Sequence, residues 1–296
     1  MKSIFITGHT GFVGRQFQKK FSSQFKFTLF DKTTFGGYND FIFLHLAGKA
    51  HDLKNVSSQE EYYKSNTELS KQVFDAFLAS NAKVFITLSS VKAIADRVLG
   101  ELSEDANPNP ITHYGKSKLL AEQYILSHSI PNGKRVYILR PCMIHGPGNK
   151  GNLNLLYNII SKGLPWPLGL FDNTRSYLSI ENLFFIIREL IDREDIPSGV
   201  YNVADDDSLS TNELIKLIAE SQGKKVFIWN IHPIFIKIIA KLGNIFNLPL
   251  NQERFNKLTE TYLVSNKKIL QAINKPLPLS SKEGFSRTFN SFKNNK

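Results

Sequence analysis

Tyr114 and Lys118 stand four residues apart in "HYGKSKLLAE", and Ser90 ends the apolar run "KVFITLSS". On a helix that spacing projects both side chains from one face, so an ammonium can lie beneath a phenol. A nearby cation stabilises phenolate and lowers the tyrosine pKa from its usual value near 10, making the phenol a usable proton donor or acceptor. An isolated Y-x-x-x-K is most often an ordinary surface pair. A second pattern accompanies this one: Gly8, Gly11 and Gly14 in "ITGHTGFVG" follow a short apolar run at the start of the chain. A strand turning tightly into a helix at such glycines lets backbone N–H groups and the helix dipole face an anion, with no Cβ in the way of a pyrophosphate. Glycines of this kind can also serve helix–strand packing alone. The joint occurrence of the two patterns points to proton and hydride chemistry on a dinucleotide.

The elements that must position these residues alternate. "SIFITG" is a strand, "FVGRQFQKKFSSQ" has helical spacing, and "FKFTLFD" is a second strand ending in Asp31. "DFIFLHLAG" is apolar enough to be buried on both faces of a parallel sheet, and the helical "EEYYKSNTELSKQVFDAFLASN" follows it. "KVFITLSS" and "RVYILRP" continue as strands with the Tyr114 helix between them. The expectation is an α/β protein with a doubly wound parallel sheet, the glycine turn, Ser90 and the Tyr114 helix meeting at its C-terminal edge. Residues 1–146 form its dinucleotide-binding part, with segments returning at about 176–205. After Gly146 the texture changes to loops and single helices, so 147–296 is expected to form mainly a smaller substrate-binding portion. Asp31 falls 17 residues after Gly14, where a carboxylate accepts the ribose hydroxyls and repels a 2′-phosphate. This favours NAD(H). Lys32 beside it leaves NADP(H) open.

Composition bounds the partners. The 296 residues carry 37 Lys and Arg against 26 Asp and Glu, a net charge of +11, which suits nucleic acid, an acidic membrane face or a phosphorylated small molecule. The lysines are scattered, and without a clustered basic-aromatic face nucleic acid is not the expected partner. One cysteine, Cys142, excludes an internal disulfide and any multi-cysteine metal site, and a cytoplasmic setting is expected. No metal site is expected, nor a charged-then-apolar leader, nor an uncharged apolar run of membrane-spanning length. The nearest to one, residues 231–250, "IHPIFIKIIAKLGNIFNLPL", is broken by Pro233, Lys237, Lys241 and Gly243. It suggests an amphipathic helix pair packed within the C-terminal part, with an interfacial membrane helix as the alternative.

Over nearly its whole length the sequence resembles the extended short-chain dehydrogenase/reductase family of nucleotide-sugar epimerases, dehydratases and reductases. The resemblance rests on "TGHTGFVG", "LHLAGKAHD", "SNTELSKQVFDAF", "TLSSVKA", "HYGKSKLLAE", "LRPCMIHGPGN", "NTRSYLSIENL" and "GVYNVADDDSLSTNELI". It implies a Rossmann-like fold, with Gly8, Gly11, Phe12, Val13 and Gly14 at the pyrophosphate and Asp31 at the ribose. Leu46, Ala47 and Gly48 would line the cofactor, Lys49 would approach the phosphates, Asn66 and Leu88 would lie near the cofactor, and Pro141 near the nicotinamide. Ser90, Tyr114 and Lys118 match the catalytic set. Asn152 and Arg175 match positions holding a sugar-nucleotide diphosphate, although Asn152 could instead cap a helix and Arg175 could pair with Asp172 or Glu181. A homodimer through the helices flanking the sheet is also implied.

Two departures from the family pattern shape the expectation. Only "KTTFGGYN" separates Asp31 from the next strand, so one βα unit is missing there. In "SSVKAIADR", Lys92 stands where dehydratases carry an acid, and without that Asp-Glu pair a dehydratase is not expected. The "SSVK" form resembles enzymes reducing a UDP-linked 4-keto-6-deoxy-N-acetylhexosamine, which is the first expectation. A UDP-hexose or UDP-N-acetylhexosamine 4-epimerase is the alternative, and a non-catalytic dinucleotide sensor the reading from another class.

Overall fold

The computed structural model describes residues 1–30, 41–49, 58–149, 151–245 and 251–293, so Asp31, Lys32 and the side chain of Asn152 lie outside it. The first half runs β1 (Lys2–Thr7), α1 (Phe12–Phe21), β2 (Phe25–Leu29), β3 (Phe41–His45), then α2 (Gln59–Tyr62), a π-pitched turn (Tyr63–Glu68) and α3 (Leu69–Ala79) as one continuous helix. β4 (Val84–Leu88), β5 (Glu101–Leu102), α4 (His113–Leu126) and β6 (Arg135–Pro141) follow. Next come β7 (Met143–His145), α5 (Asn152–Ser161), β8 (Thr174–Ser179), α6 (Ile180–Asp192), β9 (Gly199–Val203), β10 (Ser208–Ser210) and α7 (Thr211–Ser221). The chain closes with α8 (Pro233–Ile245), α9 (Gln252–Thr259), β11 (Leu263–Val264), α10 (Lys267–Ile273) and α11 (Ser281–Lys293).

Six parallel strands form the main sheet in the order β2-β1-β3-β4-β6-β9. Strand periodicity divides its side chains between two cores. Ile4 and Ile6 of β1 join Ile42, Leu44, Ile86 and Leu139 against α1 and α6. Phe5 faces the other way with Phe41, Phe43 and Phe85, against Phe74 and Phe77 of α3. Phe5 meets Phe41 edge-on at 4.8 Å and stacks on Phe43 at 5.6 Å. Each fully buried ring contributes about 2–3 kcal/mol through removal from water. Among the described residues no strand lies outside β2, in keeping with the missing βα unit: β2 and β3 lie on opposite sides of β1, with eleven residues between Leu29 and Phe41.

A separate core holds the C-terminal elements. Leu153, Tyr157 and Ile160 of α5, Leu214, Ile215 and Ile218 of α7, and Phe285, Phe289 and Phe292 of α11 cluster with Trp166. The three-stranded sheet β10-β8-β7 lies at this second core, with β7 continuing directly from the end of β6. α6 and β9 belong instead to the first core and the main sheet. The segment expected as a helix pair contains one helix in its described part. α8 begins at Pro233, where a missing N–H costs nothing, and continues through Gly243, whose cost of about 1 kcal/mol weakens a helix without ending it.

Candidate active site

The glycine turn sits where β1 passes into α1. Gly8 has φ +70°, and a Cβ there would lie 2.5 Å from the Ala47 nitrogen, so only glycine lets β1 and the end of β3 approach this closely. A Cβ on Gly14 would come within 2.2 Å of the Gly8 carbonyl oxygen. Gly11 is the N-cap of α1 and supplies no side-chain cap, and the first turn holds no acidic residue. The leading N–H groups and the positive end of the dipole therefore meet no carboxylate of this helix, the arrangement a pyrophosphate requires. Phe12 and Val13 open α1, partly buried against the first core. These features fit a dinucleotide.

α4 carries Tyr114 and Lys118, and its start is fixed by Thr112, whose hydroxyl accepts the Gly115 N–H at 3.2 Å. The Tyr114 phenol lies near enough to Ser90 for that side chain to lower its pKa, and the Ser90 hydroxyl accepts the Lys92 N–H at 3.2 Å. Lys118 is buried, and its Nζ donates to the Leu88 carbonyl oxygen at 2.8 Å. Burial pulls the Lys118 ammonium down to about 8, with Glu122 acting the other way. Burial pushes the Tyr114 phenol up, against the effect of Ser90, and Lys118 is not among the groups that shift it. The lowered phenol expected from the four-residue spacing is thus not what the protein alone provides, because desolvation outweighs a cation committed to a carbonyl.

Other expected residues converge on the same edge. Asn66 sits in the π-pitched turn, a helical irregularity frequent at functional sites. Its Oδ1 accepts the Lys49 N–H at 2.7 Å, and its Nδ2 donates to the Ser117 hydroxyl at 3.0 Å. A Cβ on Gly48 would lie 2.8 Å from both Asn66 Oδ1 and Lys118 Nζ, which places the loop after β3 directly over the lysine. Leu46 packs against the first core, Leu88 supplies the carbonyl that holds Lys118, and Pro141 ends β6 beside Val203. The Lys49 ammonium pairs with Glu61.

Three residues that sequence patterns did not single out hold this edge together. His45 is fully buried, and Ser70, which donates to the Asn66 carbonyl oxygen at 2.6 Å, accepts from His45 Nε2 at 2.9 Å. His45 Nδ1 then accepts from the Thr7 hydroxyl at 2.7 Å, and Thr7 Oγ1 accepts the Ala47 N–H at 3.1 Å. One neutral tautomer satisfies every bond, and burial, aided by Lys118, pulls the imidazole down to about 3. Below this, Glu122 and Arg140 form a buried pair, with Arg140 Nη2 2.6 Å from Glu122 Oε2 and the Ser89 hydroxyl donating to the same carboxylate.

Arg175 lies on β8, away from the pairings considered for it. Glu181 bonds Arg287, while the Arg175 guanidinium donates to the Lys257 carbonyl oxygen at the end of α9. Lys92 is half-buried, its Nζ 4.2 Å from the Tyr262 ring centroid and 2.7 Å from the Asp96 carbonyl oxygen. Burial lowers its pKa; Glu260 and Asp96 oppose this, while Arg175 and Lys257 reinforce it. Lys92, Arg175 and Lys257 thus share one electrostatic neighbourhood. Asn152 is the first residue of α5, after the N-cap Gly151. No cluster of metal-ligating side chains occurs among the described residues.

Residues 40–204 match the model of the NAD dependent epimerase/dehydratase family. The chain is 29% identical to a UDP-glucose 4-epimerase of Vibrio cholerae over 98% of its own length and 95% of that protein's. It is 27% identical to the N-acetyl-alpha-D-glucosaminyl-diphospho-ditrans,octacis-undecaprenol 4-epimerase of Escherichia coli O157:H7, covering 76% of this chain and 73% of that one. Its fold matches that of RMD from Pseudomonas aeruginosa complexed with NADPH, with a TM-score of 0.76, 19% identity and full coverage of both chains.

Proposed function

The chain belongs to the NAD-dependent epimerase/dehydratase family, and on that premise we propose that it inverts C4 of a UDP-linked hexose or N-acetylhexosamine. The closeness of Ser90 to Tyr114, at the sheet edge where Lys118 and the glycine turn meet, carries the reading. Similarity to a UDP-glucose 4-epimerase over almost the entire length supports epimerisation over simple reduction.

NAD, when bound, supplies a hydride acceptor that can return the hydride to C4. Tyr114 takes the proton of the C4 hydroxyl and later gives it back. Ser90 holds that oxygen beside the phenol, and Lys118 stabilises the phenolate once a ligand draws its ammonium from the Leu88 carbonyl. Burial keeps the resting phenol protonated, so the proton leaves only when the site is charged by its ligands. Gly8, Gly11 and Gly14 hold the dinucleotide diphosphate, and Asp31 selects NAD over NADP through the ribose. Arg175, with Asn152, holds the sugar-nucleotide diphosphate.

Reduction of a UDP-linked 4-keto-6-deoxy sugar is the second reading, favoured by Lys92 following Ser90 where dehydratases carry an acid. One incubation separates the two. Interconversion of UDP-glucose and UDP-galactose, or of their N-acetyl counterparts, without net consumption of reduced cofactor supports epimerisation. Stoichiometric loss of NADH with a 4-keto substrate, and no interconversion, overturns it.

A further inference from the structure

α8 is apolar on two faces, and only one is covered. Ile236 and Ala240 are buried in the second core. Ile234, Phe235, Ile238, Ile239 and Leu242 are each 43–61% exposed and recur at helical spacing, so they form one outward stripe. Phe227 and Trp229, in the segment leading into α8, are 70% and 53% exposed. Lys237 and Lys241 are exposed along the border of the stripe, Lys225 is exposed upstream, and no acidic residue occurs from Ser221 to Gln252. Soluble surfaces rarely leave so many large apolar side chains together without a partner.

We propose that this face docks on an anionic phospholipid surface, with α8 lying in the plane of the headgroups. The chemistry is that of interfacial helices: large aliphatic and aromatic side chains enter the acyl boundary while bordering lysines meet anionic headgroups. Thirteen residues span about 20 Å as a helix, short of the roughly 30 Å hydrocarbon core. No described helix is long and apolar enough to cross a membrane. A second copy fits less well, because a two-fold contact would set Lys237 and Lys241 of α8 against their own equivalents, and α8 itself carries no carboxylate. A folded protein partner fits less well too: the stripe offers no side-chain hydrogen-bond group of its own, whereas protein interfaces carry about one hydrogen bond per 100–200 Å². The net charge of +11 acts in the same direction as the local lysines. The inference is independent of which sugar the active site takes.

Flotation with phosphatidylcholine vesicles containing phosphatidylglycerol, and with phosphatidylcholine alone, tests it. The protein should float with the anionic vesicles, less with neutral ones, and less as salt rises. Trp229 emission should shift to the blue on binding, while Trp166, which is buried, stays constant. The double variant Phe235→Ser, Ile238→Ser should lose affinity on the order of tenfold or more with an unchanged melting temperature, and Lys237→Glu with Lys241→Glu should abolish the preference for anionic lipid. Failure of the wild type to float with anionic vesicles overturns the proposal. So does flotation undiminished in the double variant, or a dimer without vesicle binding that Phe235→Ser, Ile238→Ser converts to a monomer.

Discussion

Lys118 donates its ammonium proton to the Leu88 carbonyl oxygen at 2.8 Å, so the cation that shares a helix face with Tyr114 is fixed to the end of β4. Buried there, it is pulled down to about 8 from the usual lysine value of 10.5. Its pKa in the unfolded chain is the higher of the two, so between about 8 and 10.5 the unfolded state binds more protons and stability rises with pH. Below that window the full cost of the buried charge remains, about 3 kcal/mol. Lys118→Met should therefore raise the melting temperature at neutral pH while cutting turnover at least about a hundredfold. Tyr114→Phe should cut turnover as deeply with little change in NAD affinity. Melting curves and titration calorimetry on both variants check this; a destabilised Lys118→Met protein would contradict it.

The glycine turn leaves no room for a methyl group. Gly14→Ala would drive its Cβ to within 2.2 Å of the Gly8 carbonyl oxygen, a contact that only a backbone shift can relieve. The shift falls on the turn that faces the diphosphate. NAD affinity should fall at least about tenfold, with a destabilisation of about 1–3 kcal/mol. Fluorescence titration with NADH and denaturant unfolding measure the two effects; unaltered NADH binding would count against the cradle.

His45 makes the acid limb of stability steeper. Its imidazole is pulled down to about 3 from 6.5 by burial, so between those values the unfolded chain takes up a proton that the folded one refuses. Stability present above pH 6.5 is lost as pH falls through this window, by about 4–5 kcal/mol at its lower end. His45→Gln should lower stability at pH 7 by breaking the Thr7 and Ser70 bonds, yet show a shallower loss between pH 6.5 and 4. Unfolding free energies of the two proteins across that range decide it: parallel curves would remove His45 as the cause.

Arg175 is predicted to bind the substrate diphosphate. A guanidinium can bond two phosphate oxygens at once, so Arg175→Lys should weaken UDP binding and Arg175→Ala weaken it more, by about tenfold or beyond, with NAD affinity unchanged. Its bond to the Lys257 carbonyl also ties β8 to α9, and a purely structural role would lower the melting temperature instead. Calorimetric titration of UDP alongside melting curves separates the outcomes. Unchanged UDP affinity with a lower melting temperature would refute the clamp.

The alternation of strands and helices, the glycine turn and the four-residue spacing of Tyr114 and Lys118 were legible in the sequence because each is a local pattern, while the missing βα unit was legible only against the family resemblance. Strand and helix periods, and the special backbone of glycine, are written over a few consecutive residues. What joins distant segments was not legible. The hydrogen-bonded chain through Thr7, His45 and Ser70 links positions 38 and 25 residues apart, and nothing in "DFIFLHLAG" marks its histidine as other than a core residue. The Lys49–Glu61 and Glu122–Arg140 pairs depend likewise on which helix lies over which strand. The pKa of Tyr114 depended on a balance: spacing brought the cation to the right face, but burial and the Leu88 carbonyl decided the direction of the shift. For residues 231–250 the sequence suggested an amphipathic helix pair, and only packing determined that Ile236 and Ala240 of α8 turn inward while Phe235 and Ile238 stay exposed. Periodicity specifies which side chains share a face; only the arrangement of neighbouring elements determines which face is covered.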